Sequence, residues 1–264
     1  MIVIKLGGSG AIDPTPLLQE LAQTSEPWVL VHGGNEELSE LQSRLGEGPT
    51  FITSPSGHES RRTDDATLAN IQRTYRGRIN NDLVLRLQNL GVSAIGLSGV
   101  DGGLLRARRK PNLRAVVDGR KVLIRDDLTG TIDSVNADLL RLLLDAGHRP
   151  VVTLPAWADD GTAVNVDGDR AAAAIAAALD ADVLVNLSNV PGLLRDLDDP
   201  DSLVTAIPAG AMADFEPLAK GRFRKKLMGA AEAVASGVGR VVLAASDVEH
   251  PLQNALQGQG TVIQ

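Results

Sequence analysis

Lys5 is the one charged residue in Ile2-Val3-Ile4-Lys5-Leu6, a run that ends in Gly7 and Gly8. β-prone apolar residues on both sides of it describe a strand buried on both faces, as in a parallel sheet. A buried ammonium is costly unless an anion meets it. Glycines let a ligand approach the backbone closely. The run therefore delivers positive charge to the mouth of a glycine-lined site, which suggests phosphate. The alternative is an edge strand with Lys5 turned to solvent.

A second cationic stretch, Lys220-Gly221-Arg222-Phe223-Arg224-Lys225-Lys226, opens a candidate helix. A helix N-terminus carrying cationic side chains suits anions. Upstream, Asn165-Val166-Asp167-Gly168-Asp169 opens another helix. An aspartate there can receive lysine hydrogen bonds and hold their geometry. Simpler readings stay open, with Asp167 as an N-cap and Lys225 or Lys226 facing solvent. Two phosphate motifs are excluded. No Gly-Lys pair occurs, so there is no P-loop. A dinucleotide fingerprint would need a third glycine where Asp13 stands, and an acid where the second strand ends in His32.

The elements that must position these groups alternate along the chain. Asp13-Pro14 starts a helix to about Thr24, with a capping residue and an early proline. Trp28 to Val31 is a second buried strand, ending in His32-Gly33-Gly34-Asn35 and followed by a helix from Glu36 to Leu45. Two such strands side by side place both glycine pairs at the carboxyl edge of one sheet, where open α/β sheets bind ligands. Asp64 to Leu90 reads as one long amphipathic helix through Leu68, Ile71, Tyr75, Ile79, Leu83 and Leu87. Leu104 to Arg109, Ala115 to Val117 and Val122 to Ile124 suggest a small hairpin layer, with Asp118-Gly119 as a tight turn. Helices over Asn136–Ala146, Asp167–Leu179 and Phe223–Ser236 alternate with strands over Val92–Leu97, Pro150–Leu154, Val183–Leu187 and Arg240–Ala244. The pattern predicts a three-layer αβα sandwich around a mainly parallel sheet. It is expected to form a single domain over residues 1–264, with an N-lobe of about 1–165 and a C-lobe of about 166–264.

The chain has 264 residues, no cysteine and an ordinary soluble balance of 43% hydrophobic and 22% charged residues. A thiolate metal site and a disulfide framework are therefore excluded. No apolar run has membrane-spanning length, and the first strand begins at residue 2 without a secretory leader, so the cytoplasm is the expected location. Net charge is −7, yet residues 61–125 hold 14 Lys and Arg against five Asp and Glu. A basic segment in an acidic chain suggests docking of an anionic macromolecule. Tyr75 is the only aromatic residue there, which disfavours nucleic acid. The alternative is a solvated arginine-rich face.

Taken together, several motifs are similar to those of one family. They are Lys5-x-Gly7-Gly8, His32-Gly33-Gly34, Arg61-x-Thr63-Asp64, Gly96-Leu97-Ser98-Gly99-x-Asp101-Gly102, Asn165-x-x-x-Asp169, Ser188-Asn189-Val190-Pro191-Gly192 and Lys226. Over essentially the whole chain and in order, this resembles the amino acid kinase family, near N-acetylglutamate kinase. The resemblance implies the carbamate kinase-like fold and ATP-dependent phosphorylation of a side-chain carboxylate to an acyl phosphate, with Mg²⁺ riding on the nucleotide phosphates and no metal held by the protein. By the same resemblance Lys5 stabilises the transferring phosphoryl, Lys226 the leaving phosphates, and Asp169 organises both. Gly7, Gly8, Gly33 and Gly34 would give close approach and amide donors. Ser188, Asn189, Val190, Gly192 and Leu193 would line the nucleotide pocket, while Arg61 and Asn165, with Gly33 and Gly34, would hold the acceptor.

Departures from the acetylglutamate pattern are Asn35 in place of a third glycine and Gly221-Arg222-Phe223 in place of Gly-Gly-Met. Ser60-Arg61-Arg62-Thr63-Asp64 and Gly221-Arg222-x-x-x-Lys226-x-Met228-Gly229-Ala230 look more like a sister group. Its members phosphorylate L-2-aminoadipate, or glutamate, joined through the amino group to a small acidic carrier protein in lysine or arginine biosynthesis. The basic segment, with Arg106, Arg108, Arg109 and Lys110, would then dock the carrier. The resemblance also implies a homodimer through the Asp64–Leu90 helix. Arginine-inhibited acetylglutamate kinases carry an extra N-terminal helix, whereas this sequence starts at the first strand, so no arginine feedback by that route is expected. Plain N-acetylglutamate kinase is the alternative enzyme, and an amino-acid-sensing domain is the alternative of another class. The sensor has no use for Lys5, Asp169 and Lys226.

Overall fold

The apolar run around Lys5 is a strand in the middle of an eleven-stranded sheet. The computed structural model describes residues 1–7, 12–55, 57, 59–117, 120–221 and 223–264. Gly8, the Asp118-Gly119 turn and Arg222 lie outside the described residues. In chain order the strands are β1 (Ile2–Leu6), β2 (Trp28–His32), β3 (Phe51–Thr53), β4 (Glu59–Arg61), β5 (Ala94–Gly99), β6 (Leu105–Arg109), β7 (Leu113–Val117) and β8 (Arg120–Ile124). They continue as β9 (Gly130–Val135), β10 (Arg149–Ala158), β11 (Ala163–Val164), β12 (Val183–Ser188), β13 (Ala206–Ile207), β14 (Arg240–Ala245) and β15 (Thr261–Ile263). The helices are α1 (Thr15–Gln23), α2 (Asn35–Arg44), α3 (Asp65–Ile71), α4 (Asn81–Asn89), α5 (Ala137–Asp145), α6 (Gly168–Ala178), α7 (Met212–Phe215), α8 (Phe223–Ala235) and α9 (Pro251–Leu256).

β1 is flanked by β12 and β2, both parallel to it. Every residue of these three strands is buried, as the unbroken apolar runs require. β1 is therefore not an edge, and the solvent-facing alternative for Lys5 falls. The path runs β13-β15-β14-β12-β1-β2-β10-β6-β9, with β5 also paired to β10. Antiparallel β15 and β9 pair with β14 and β6.

Strand alternation divides the core in two. Val3 packs on the face covered by α2, α5, α6 and α8, through residues such as Leu38, Leu140, Ala172 and Leu227. Ile2, Ile4 and Leu6 pack on the face covered by α1, α4 and α9, through Leu17, Leu87 and Leu252. This is the expected three-layer αβα sandwich with a mainly parallel sheet. Lys5 shares its parity with Val3 and so points toward the α6 and α8 layer.

Two expectations are corrected. The anticipated hairpin layer is divided: β6 joins the main sheet, because Leu105 and Ala107 alternate inward into its core. Only β7 and β8 form the hairpin, in a separate four-stranded sheet with β3 and β4. The long helix is continuous from α3 to α4, but Gln72–Asn80 between them is wound as a π-helix. Its apolar residues serve both cores rather than one face, with Ile71 and Tyr75 in the first and Leu83 and Leu87 in the second.

Candidate active site

Lys5 Nζ lies 2.7 Å from Asp169 Oδ1. Asn186, the cross-strand neighbour of Lys5, donates to the same oxygen from Nδ2 at 2.9 Å. Lys226 Nζ stands 3.6 Å from that oxygen and donates to Asn186 Oδ1 at 3.2 Å. Each group is placed by its element. Asp167 caps α6, its Oδ1 accepting from the amides of Asp169 and Arg170, so the plain N-cap reading holds for Asp167. The cap sets Asp169 in the first turn, beneath the end of β1. Gly229 lets α8 close on that turn, since a Cβ there would come within 3.3 Å of the Asp169 backbone. Lys226, one turn earlier on α8, thus reaches the carboxylate.

Burial alone would raise the Asp169 pKa, but Lys5 and Lys226, with hydrogen bonds from Lys5 and Asn186, hold it well below the ordinary carboxylate range. Burial and the charge of Lys5 lower Lys226 to about 8, against the support of Asp169 and Asp167. Two buried ammoniums around one carboxylate leave a net positive centre, which fits phosphate. Asn186 was not singled out from the sequence. The signal was there, as one amide in the otherwise apolar Val183-Leu184-Val185-Asn186-Leu187.

The cluster opens on a cleft of about 870 Å³. Gly7, Gly33, Arg61, Asn165, Asn189, Val190, Gly192 and Leu193 all line it, together with Lys225 and Lys226. Gly192 has a φ of +153°, and a Cβ there would collide with Thr261, so glycine is required where the loop after β12 borders the cleft. Ser188 does not line the cleft; it is buried at the end of β12, with its carbonyl accepting from Ser246.

Two of the amides expected as phosphate donors, those of Gly7 and Gly33, are engaged in the sheet. Gly7 N donates to Leu187 O at 2.9 Å and Gly33 N to Leu6 O at 3.4 Å, because the sheet ladder runs one residue past the strands. Gly34 does not line the cleft either. A Cβ on it would overlap Ile79 and Tyr75, so it is small to admit the π segment.

On the cleft wall formed by β4, Arg61 is buried and lies over the Phe51 ring at 5.0 Å. It donates to Gln42 Oε1 at 2.6 Å, Ser39 Oγ at 2.7 Å and Asn35 O at 3.1 Å. Asn165 Nδ2 donates to Thr63 Oγ1 at 3.0 Å. Tyr75 donates from its hydroxyl to Asn35 Oδ1 at 3.1 Å. Gln42 and Ser39 were not singled out from the sequence, since only folding brings α2 against β4, and Tyr75 was legible only as an apolar position of the long helix.

The four residues expected at a docking surface do not behave alike. Arg106 lies over Trp157 at 4.4 Å and pairs with Asp159, and Arg108 pairs with Asp133. Arg109 is spent on the carbonyls of Asp127 and Arg125. Lys110 turns into the cleft, where burial and the nearby Arg170 and Lys225 lower its pKa. Among the described residues no group of three or more His, Asp or Glu side chains could hold a metal ion. Among the described residues no helix is long and apolar enough to cross a membrane.

The αβα sheet with charged groups gathered at its strand ends defines a class of α/β protein that takes ligands at that edge. Residues 1–245 match the amino acid kinase family, and the chain belongs to it. It is 49% identical to a [LysW]-aminoadipate kinase from Deinococcus radiodurans, over all of this chain and 91% of that one. It is 46% identical to the protein of the same name from Thermus thermophilus, over the full length of both. An acetylglutamate kinase from Methanopyrus kandleri is 38% identical, again over both full lengths. Among solved structures, an N-acetylglutamate synthase from Neisseria gonorrhoeae superposes with a TM-score of 0.79 at 26% identity, over 99% of this chain and 58% of that one. Carbamate kinase from Giardia lamblia shares the fold, with a TM-score of 0.69 at 13% identity over 99% of this chain and 97% of that one.

Proposed function

We propose that this chain uses ATP to phosphorylate the side-chain carboxylate of L-2-aminoadipate, or of glutamate, carried through its amino group on a small acidic carrier protein. The product is an acyl phosphate on the way to lysine or arginine. The observation that carries this reading is the pair of buried lysines sharing Asp169 at the floor of the cleft. The names of the relatives support the acceptor.

The chemistry asks little covalent work of the protein. An acceptor carboxylate is already ionised, so its oxygen attacks the γ-phosphorus without a general base. One O–P bond forms, the bond to the β,γ-bridging oxygen breaks, and ADP leaves with that electron pair. What the reaction requires is alignment and charge neutralisation. In this reading Lys5 faces the transferring phosphoryl and Lys226 the leaving phosphates, each worth about 3–4 kcal/mol of barrier if it acts as a well-placed donor. Asp169 holds the two lysines. Asn189, Val190, Gly192 and Leu193 border the nucleotide, with Gly7 allowing close approach. Arg61, Asn165 and Gly33 border the acceptor. Mg²⁺ would come bound to the nucleotide phosphates and neutralise them. Residues 1–165 would form the acceptor lobe and residues 166–264 the nucleotide lobe of one domain. The continuous helix from α3 to α4 would pair two copies into a homodimer, and the location would be the cytoplasm.

The test is acyl-phosphate formation trapped with hydroxylamine, with ATP and Mg²⁺ present. Carrier-linked aminoadipate should turn over and free N-acetylglutamate should not. The acetylglutamate reading is kept in view by the 38% identical relative. Turnover of free N-acetylglutamate would establish it and return the basic segment to a solvated face.

A further inference from the structure

Asn186 is buried in an apolar strand, and both ends of its amide meet charged groups. Nδ2 donates to Asp169 Oδ1 at 2.9 Å, and Oδ1 accepts from Lys226 Nζ at 3.2 Å. The chemistry fixes the amide's orientation, because the reverse would set NH₂ against an ammonium and oxygen against a carboxylate. Lys5 has its own short contact with Asp169 at 2.7 Å, whereas Lys226 is held off at 3.6 Å. An ammonium has three donors. Lys226 gives one to Asn186 and lines the cleft.

We propose that Asn186 is a positioning residue for phosphoryl transfer: its amide keeps Lys226 charged and aimed into the cleft while sparing it from a closed ion pair with Asp169. The inference rests on the phosphotransfer reading above. Several charged groups bear on Lys226. Lys5 on β1 opposes its charge, and Asp169 and Asp167 at the start of α6 support it. Lys225 is its neighbour on α8, and Arg170 with Glu232 ties α6 to α8 at 2.7 and 2.6 Å. Burial has already brought Lys226 to about 8, so one hydrogen bond more or less decides how far its charge survives above neutral pH.

The experiment is an NMR titration of the full chain carrying ¹³Cε-labelled lysine, without nucleotide. The chain has six lysines, and the Lys226→Arg variant assigns the resonance. Asn186→Leu, nearly isosteric and at home in an apolar strand, should lower the Lys226 midpoint by about one pH unit or more, the effect of losing a hydrogen bond to a charged group. Asn186→Asp should raise it. The limb of kcat that falls as pH rises should move the same way in each variant, with KM for ATP changing less than kcat. A Lys226 midpoint that stays put in Asn186→Leu overturns the proposal. Should that variant not fold, a midpoint that fails to rise in Asn186→Asp does the same. Because the titration needs no turnover, a shifted midpoint in a chain that phosphorylates no acceptor would sink the phosphotransfer reading, and with it the catalytic purpose, while leaving the hold of Asn186 on Lys226 established.

Discussion

One oxygen of Asp169 serves Lys5, Asn186 and Lys226. Removing its charge would leave two buried ammoniums without a counter-ion. Breaking a buried pair in this way costs about 3–5 kcal/mol. Asp169→Asn should therefore lose about that much unfolding free energy in urea at pH 7. The sign with pH follows from the direction of the shift. The folded pKa lies below the unfolded one, so the stabilisation is complete above about pH 4 and is lost as pH falls through the folded value. The gap between the unsubstituted chain and Asp169→Asn should be widest at neutral pH and narrow below about pH 4. A gap that is constant across that range would show that the carboxylate does not carry the lysines. At this scale the sequence was informative where a residue violates its surroundings: Lys5 in an apolar strand, and Asp169 two residues past a cap. Arg61 was legible as a cation, but its holders Gln42 and Ser39 were not, because nothing in local spacing announces a contact made across α2 and β4.

The π-wound segment between α3 and α4 explains how a helix can serve a loop. Tyr75 reaches Asn35, while Asn80 Nδ2 lies 3.0 Å from His32 Nε2 and donates to Val151 O at 2.9 Å. Residues five apart on an α-helix point about 140° away from each other. The i→i+5 ladder brings them closer, so both can face the turn from His32 to Asn35. His32 Nδ1 lies 2.9 Å from Gly33 O and Nε2 accepts from Asn80, consistent with a neutral ring whose pKa burial lowers to about 4. Asn80→Ala would leave the His32 nitrogen and the Val151 carbonyl without their donor. The expected loss is about 1–3 kcal/mol of stability, with a raised KM for the acceptor. A denaturant midpoint that does not move would mean that the turn holds itself. The sequence announced a helix here through apolar residues three and four apart. It did not announce the π winding, because the hydrogen-bond ladder depends on Asn80 finding partners on β2 and β10.

Across the whole molecule, β/α alternation was enough to foresee the sandwich, since β1, β2 and β14 are each a largely apolar run followed by a helix. The antiparallel β9 and β15 were not foreseen: β15 has three residues, and β9, Gly130-Thr131-Ile132-Asp133-Ser134-Val135, is not an apolar run. The basic stretch from Arg61 to Arg125 is continuous in sequence but not in space: part lies on the π-wound helix, part on β6, and part on the β7–β8 hairpin. Arg106 and Arg108 on β6 are exposed, Arg109 is turned to structural carbonyls, and Lys110, just past β6 and also exposed, lines the cleft. In the proposed reading, carrier docking is assigned to Arg106 and Arg108, which are exposed on β6 and do not line the cleft. Charges at the rim of an interface act mainly on association rate and salt dependence. The double variant Arg106→Glu, Arg108→Glu should raise KM for carrier-linked aminoadipate about tenfold or more at low salt and flatten its dependence on ionic strength. KM for ATP should hold, because the buried cluster is untouched. An unchanged KM for the carrier-linked acceptor at every salt concentration would move the docking site off β6, toward the hairpin that carries Arg114, Arg120 and Lys121.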